Sequence, residues 1–341
     1  LKSNKKMDFE KGETSVLNAD VASTSVEVPA AHNELVKFIQ DSYSLKPEGL
    51  YMKPLHWKYL VRSAVRGKNI MLVGPSGCGK TVAAQFVQDA LKRPKFYFNL
   101  GATQDPRSTL IGNTHFKDSE TLFAESLFVK AIQTENAIIL LDELTRAHPD
   151  AWNILMTVLD YKQRYLRLDE KENCETVPVA SGVTFIATAN IGAEYTATRV
   201  LDRALQDRFI IIEVDVLDAV QEQKLLAYLY PEVNKDVLKQ VAGLASDSRI
   251  EINSESPHIS TMISTRMSVE MAGLLYDGFD FIDAADVAIF PFFPTEGGND
   301  SERSFIKKMA QRYNISVAGE DVDTDEPDLF TDDDMKDAFV T

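Results

Sequence analysis

Cysteine is nearly missing from this chain of 341 residues, with Cys78 and Cys174 the only two. That count excludes a disulfide-stapled scaffold and points to a reducing compartment, so the cytoplasm is the expected location. Long apolar runs are missing too: nothing approaches the roughly 18 residues of a membrane span. The opening residues carry no charged-then-apolar secretory pattern. The five histidines, His32, His56, His115, His148 and His258, show neither i, i+4 pairing nor C-x-x-C style company. A protein-bound transition metal is therefore not expected. There is no G-x-S-x-G nucleophile elbow and no long internal repeat. Positive charge is also scarce, with 36 Lys and Arg against 52 Asp and Glu, a net of −16. That balance argues against a broad nucleic-acid surface, though not against a local basic pore.

The charge is unevenly placed. Residues 319–341 hold ten acids against one lysine, Lys336, and so carry nine of the sixteen net negative charges. Such a block repels itself and buries little, so it is expected to be a disordered, solvating tail. Leu329, Phe330, Met335 and Phe339 within it leave room for a docking peptide. Residues 1–30 are polar and without sustained period, and are expected to form a mobile extension.

Between these ends the chain reads as α/β. From 31 to 215 the short apolar runs "NIMLVG", "KFYFNL", "AIILLDE", "GVTFIATAN" and "RFIIIEVD" alternate with helical patterns. Their near-continuous apolarity suits parallel strands covered on both faces. Trp152, Leu155, Met156 and Leu159 fall on one face of a helix between two of them. From 216 to 290 strand-like runs stop, and Val237, Val241 and Leu244, then Met267, Met271, Leu274 and Leu275, follow helical spacing. A small helical domain is expected there. Pro291, Pro294 and Gly297-Gly298 mark a linker over 291–318, with "SERSFIKKMAQRY" as one last helix.

The chemistry sits at the ends of the apolar runs. "GPSGCGKT", residues 74–81, follows Ile70-Met71-Leu72-Val73 and fits G-x-x-x-x-G-K-[ST]. Gly74, Gly79, Lys80 and Thr81 take the fixed places, with Pro75, Ser76, Gly77 and Cys78 between them. Such glycines let backbone N–H groups wrap phosphates, and the following helix points its positive end at them. Lys80 would reach the β- and γ-phosphates, and the Thr81 hydroxyl would hold Mg²⁺. Cys78 stands at a variable position and reads as a small filler. "AIILLDE" ends in Asp142 and Glu143, the first placed to hold the metal and the second to act as general base. "FIATAN" ends in Asn190, an amide able to orient the attacking water. "LDRALQDRF" supplies Arg203 and Arg208, and "STRMSVEMA" places Arg266 at the start of a helix in the second domain.

In this order the motifs resemble those of the AAA+ ATPases, and more narrowly the MoxR branch with the CobS-type ATPase subunits of aerobic cobaltochelatase. The local matches are "FNLGATQDPRSTLIG", "IILLDELTRAHPDAWNILMTVLD", "FIATANIGAEYTATRVLDRALQDRF" and "ISTRMSVEMAGLL", spread over about residues 50–280. The resemblance implies a P-loop core with strand order 5-1-4-3-2 and a helical lid. It implies ATP and Mg²⁺ as ligands, and Asn190 and Arg266 as the two nucleotide sensors. Arg208 would be the finger that reaches a neighbouring subunit, with Arg203 as the alternative. The working form would be a ring of identical chains, a hexamer, acting on a protein client through a partner with a von Willebrand factor A domain. Two insertions, "GNTHFKDSETLF" and "YKQRYLRLDEKENCETVPVASG", would face the pore or a partner, making Phe116, Arg164 and Tyr165 contact candidates. Lys162, Arg164 and Arg167 form a modest basic cluster whose usual explanation is a solvated face. The function so implied is protein remodelling driven by ATP hydrolysis. A cobalt or magnesium chelatase motor, a nucleic-acid motor and a nucleotide-locked scaffold are the rivals.

Overall fold

The structure, a computed structural model, describes residues 30–117, 120–171, 173–190 and 201–314. The expectations for the extension before residue 30 and for the acidic tail lie outside these residues.

Five parallel strands form the central sheet: β1 (Ile70–Gly74), β2 (Lys95–Asn99), β3 (Ile138–Asp142), β4 (Thr184–Asn190) and β5 (Ile210–Glu213). Their spatial order is β5-β1-β4-β3-β2, as expected from the resemblance. The first strand therefore lies between the fourth and the fifth, and the sheet has its crossover where β1 and β4 meet. Register aligns the strand ends, pairing Gly74 with Asn190 and Asn99 with Asp142. All the motif-bearing termini thus share one edge of the sheet, where ligands of open α/β sheets bind.

Alternation along the strands explains their unbroken apolarity. Met71, Val73, Ile139, Leu141, Phe185 and Ala187 face one hydrophobic core, while Ile70, Leu72, Ile138, Leu140 and Ile186 face another. The second core is closed by Trp57, Leu60 and Val61 of helix Pro54–Val65 and by Ala83, Ala84 and Val87 of helix Lys80–Leu91. Trp57 is fully buried, and its indole N–H donates to the Ser42 carbonyl at 2.8 Å.

Two antiparallel hairpins branch from the core, Gly112–Lys117 with Glu120–Glu125 and Tyr165–Leu168 with Glu175–Pro178. Phe116 on the first is 78% exposed. Arg164, expected at a contact surface or a solvated face, is instead a packing residue. Its guanidinium donates to the carbonyls of Gly67 at 3.2 Å and Val183 at 2.9 Å and to Asn69 Oδ1 at 3.3 Å. It also lies over the Phe185 ring, 5.2 Å from the centroid. Burial pulls its pKa down to about 10. Three oxygens from distant segments converge on this cation, a pattern the local basic composition could not reveal. Tyr165 beside it is half-buried.

The C-terminal body is helical: Ala219–Leu229, Lys235–Ile252, Thr265–Tyr276, Phe281–Ala288 and Glu302–Asn314. Asp218 and Gln221 form a capping box that starts the first of these. Its core joins Leu226, Val241, Leu244, Met271 and Ala285. The segment expected as a linker and short helix packs into this body, with Phe293, Ile306 and Met309 buried in the same core. No helix among the described residues is long and apolar enough to cross a membrane.

Candidate active site

The strand ends and the helical body enclose a cleft of about 470 Å³. Its floor is the phosphate loop, from Ser76 to Thr81, with Gly74 and Pro75 just behind it. Asp142, Glu143 and Asn190 line the floor from the neighbouring strands, and Arg266 lines it from the helical body. Leu50, Phe86, Leu217, Leu225 and Tyr228 build an apolar wall further along.

Lys80 is only 7% exposed. Its ammonium donates to the carbonyls of Gly74 at 3.0 Å and Pro75 at 2.6 Å and touches Cys78 Sγ at 3.8 Å. Burial pulls it below the usual lysine range, opposed by Cys78, Asp142 and Glu143. A partly desolvated cation held by neutral carbonyls is a strong partner for an incoming phosphate.

Asp142 is the centre of the acidic side. Its Oδ1 accepts from the Thr81 hydroxyl at 2.9 Å and from the Thr188 hydroxyl, and its Oδ2 accepts from the Tyr97 hydroxyl at 3.0 Å. Burial and this carboxylate push the Tyr97 phenol above the usual range. The two groups expected to hold the metal are therefore adjacent, and both offer oxygen. That donor set fits Mg²⁺, which binds one or two protein oxygens and keeps phosphate and water for the rest. Among the described residues no group of three or more His, Cys, Asp or Glu gathers elsewhere to hold an ion.

Glu143 follows in a left-handed backbone conformation, φ 56°. Its N–H donates to Thr188 Oγ1 at 3.0 Å, and its carboxylate lies 3.3 Å from the Arg146 guanidinium. Asn190 is fixed from behind, its N–H donating to Thr145 Oγ1 at 3.3 Å.

Neither Arg203 nor Arg208 lines the cleft. Arg203 is exposed on the short helix Arg203–Gln206. Arg208 is half-buried, with Nε donating to the Met156 carbonyl at 2.8 Å and Nη1 to the Ala204 carbonyl at 2.5 Å. Asp160 lies 3.8 Å from its other end.

Tyr97, Thr188, Arg146, Gly101 and the apolar wall escaped the sequence reading. Thr188 had a readable signal, since it stands two residues before Asn190 on the same face of β4. The others depend on which strands become neighbours.

Residues 69–209 match the family described as AAA domain (dynein-related subfamily). The candidate chaperone BssE of Thauera aromatica is 31% identical over 217 residues, 62% of this chain and 70% of that protein. An uncharacterised protein of Staphylococcus saprophyticus is 30% identical over 225 residues, 64% of this chain and 79% of that one. Among solved structures, a point mutant of RuvB from Thermotoga maritima aligns with 81% of this chain and 76% of its own, at 13% identity and a TM-score of 0.47. The match from residue 69 to 209 spans the strands that carry the phosphate loop, the acidic pair and the asparagine, and the chain belongs to the AAA+ P-loop family.

Proposed function

We propose that this protein is a ring-forming ATPase of the MoxR and CobS-like kind, which couples ATP hydrolysis to the remodelling of a protein client. The observation that carries the reading is the Thr81–Asp142 pair at 2.9 Å, with Glu143 next along the backbone and Lys80 facing both. A cleft that only stored nucleotide would need the phosphate loop but not a buried metal-binding carboxylate followed by a second one. In this reading Lys80 binds the phosphates, Thr81 and Asp142 hold Mg²⁺, Glu143 takes the proton from water, and Asn190 orients that water. The ion would neutralise charge that builds on the transferred phosphoryl group. Arg266 reports the nucleotide to the helical body. The name of the Thauera relative, a candidate chaperone, supports a protein client over a tetrapyrrole or DNA, and so does the net charge of −16.

A ring would bring a neighbour's arginine to each site. The resemblance gives that role to Arg208, but exposure favours Arg203. Arg203 can turn outward without losing a side-chain bond to any described residue, whereas Arg208 would first have to leave two carbonyls of its own chain. Arg203→Ala is expected to lower turnover by on the order of 10³-fold or more while nucleotide binding persists. Arg208→Ala is expected to lower the melting temperature instead. Mixing Arg203→Ala chains with Lys80→Ala chains checks action in trans, because only mixed interfaces unite an intact arginine with an intact phosphate loop. Activity that fails to return on mixing removes the trans role. The opposite pattern for the two arginines returns it to Arg208.

The client is found by affinity capture from the native cell with Glu143→Gln held in ATP. Recovery of a protein with a von Willebrand factor A domain, together with its client, is the expected outcome. Chelatase subunits would redirect the reading to metal insertion. Strong ATPase stimulation by single-stranded DNA that falls steeply with salt would redirect it to nucleic acid.

A further inference from the structure

The helical body holds a buried ion pair that none of the motifs explains. Arg249 on helix Lys235–Ile252 and Glu222 on helix Ala219–Leu229 have side chains 7% and 0% exposed, and the guanidinium donates to the Glu222 carboxylate. The same guanidinium donates to the Leu217 carbonyl at 2.7 Å and to the Ile263 carbonyl at 3.1 Å. The Ile263 N–H in turn donates to Ser248 Oγ at 2.9 Å. Both backbone groups of Ile263 are thus held from one helix.

The two carbonyls belong to segments that matter to the cleft. Leu217 lies where the chain passes from the sheet domain to the helical body, and it lines the cleft. Ile263 precedes Ser264, which caps the helix Thr265–Tyr276 that carries Arg266. Ser264 also rests on the phosphate loop. A Cβ at Gly77, whose φ is +76°, would come within 2.9 Å of the Ser264 Cβ. Only glycine allows that approach. An unbroken set of contacts therefore runs from Arg249 to Arg266 and to the loop that receives the phosphates.

A buried ion pair is weak evidence for stability, because well-packed apolar residues often do as well. Here the pair is also incompletely satisfied: Glu222 Oε1 and Arg249 Nε have no hydrogen-bond partner among the described residues. What it supplies is a fixed geometry among three segments, which a planar fork of donors can span and a point charge cannot. We propose that Arg249, held by Glu222, is a positioning residue for ATP turnover. It sets Ser264 and Arg266 against the phosphate loop and ties that placement to the junction at Leu217. The proposal rests on the reading of the cleft as an ATPase site.

Two variants of the full chain test it. Arg249→Met with Glu222→Leu removes both charges together, so no lone ion stays buried. Arg249→Lys keeps the charge opposite Glu222 but gives up the fork. Each is assayed for steady-state ATP hydrolysis, for binding of a fluorescent ATP analogue and for thermal unfolding, with and without Arg266→Ala. The expected result is a KM for ATP raised roughly tenfold, the size of a typical coupling between sites, in a chain that still folds although the freed Leu217 and Ile263 carbonyls lower its melting temperature. Arg266→Ala should already contain that loss, so combining the changes should add little. An unchanged KM in the variants overturns the proposal. So do effects that multiply with that of Arg266→Ala, since they place Arg249 outside the action of Arg266. If the Met/Leu chain does not fold, the lysine variant decides by the same readouts. An unaltered chain that neither binds nor hydrolyses ATP overturns the ATPase reading and this proposal with it, whereas a working unaltered chain with silent variants overturns the proposal alone.

Discussion

Glu143→Gln is expected to bind ATP as the unaltered chain does and to hydrolyse it about 10³-fold more slowly, within the range of a lost general base. The amide keeps the length and shape of the side chain, so it still fits the space beside the Arg146 guanidinium, 3.3 Å from the present carboxylate. What it loses is the capacity to take a proton from water. Binding should survive because the groups that would hold the phosphates and the metal, Lys80, Thr81 and Asp142, are secured by other partners. Lys80 is held by the carbonyls of Gly74 and Pro75, and Asp142 by Thr81, Thr188 and Tyr97. None of those bonds includes Glu143. The Arg146 pair that the substitution weakens is partly exposed and adds little to stability, so the melting temperature should barely move. Phosphate release and equilibrium ATP binding, measured on one preparation, separate the two steps. Turnover at the unaltered rate would remove Glu143 as the base, and loss of binding would show that it holds the site together.

The parts of the cleft that the sequence disclosed are those written in one place. The phosphate loop is a continuous string between a strand and a helix, and Asp142-Glu143 and Asn190 each close an apolar run. A strand end needs no knowledge of its neighbours to be recognised as a strand end. The resemblance then supplied the strand order, and with it the reason why these three ends meet. What stayed hidden depends on distant segments converging. Arg164 looked like a surface cation because the residues around it are charged, yet its acceptors come from Gly67, Asn69 and Val183. Tyr97 reads as one aromatic among several in "KFYFNL", and only the pairing of β2 with β3 brings its hydroxyl to Asp142. Arg249 sits in a helix whose pattern shows an ordinary amphipathic face. Its carbonyl partners lie 32 residues before it and 14 after it, and polar contacts of that kind leave no period in a sequence.

Gly101 is the most consequential of the hidden residues, and Gly101→Ala is expected to lower turnover by on the order of 10²-fold, the cost of misplacing a catalytic group by about 1 Å. The residue follows β2 in the loop "NLGATQD" and has no positive φ that would demand glycine. Its requirement is one of space. A Cβ there would stand 2.4 Å from Glu143 Oε2, 2.9 Å from Glu143 Cβ and 3.2 Å from Arg146 Cβ. The closest of these atoms is the free end of a flexible side chain, so it can yield by rotating away. The backbone of Glu143 has less freedom, since it already occupies the left-handed region that non-glycine residues seldom adopt. Rotation relieves the carboxylate, but the Glu143 and Arg146 Cβ atoms are fixed to their backbone, so the loop at Gly101 must shift as well. The added methyl is then felt in catalysis through the displaced carboxylate and in stability through the shifted loop. Gly101→Ala should retain ATP affinity, lose most of its turnover and melt below the unaltered chain. Combined with Glu143→Gln it should cost almost nothing further, because the group it displaces is already inert. Additive losses in that double variant would mean that Gly101 acts on something other than the Glu143 carboxylate. Full turnover in the single variant would mean that the site tolerates a displaced base.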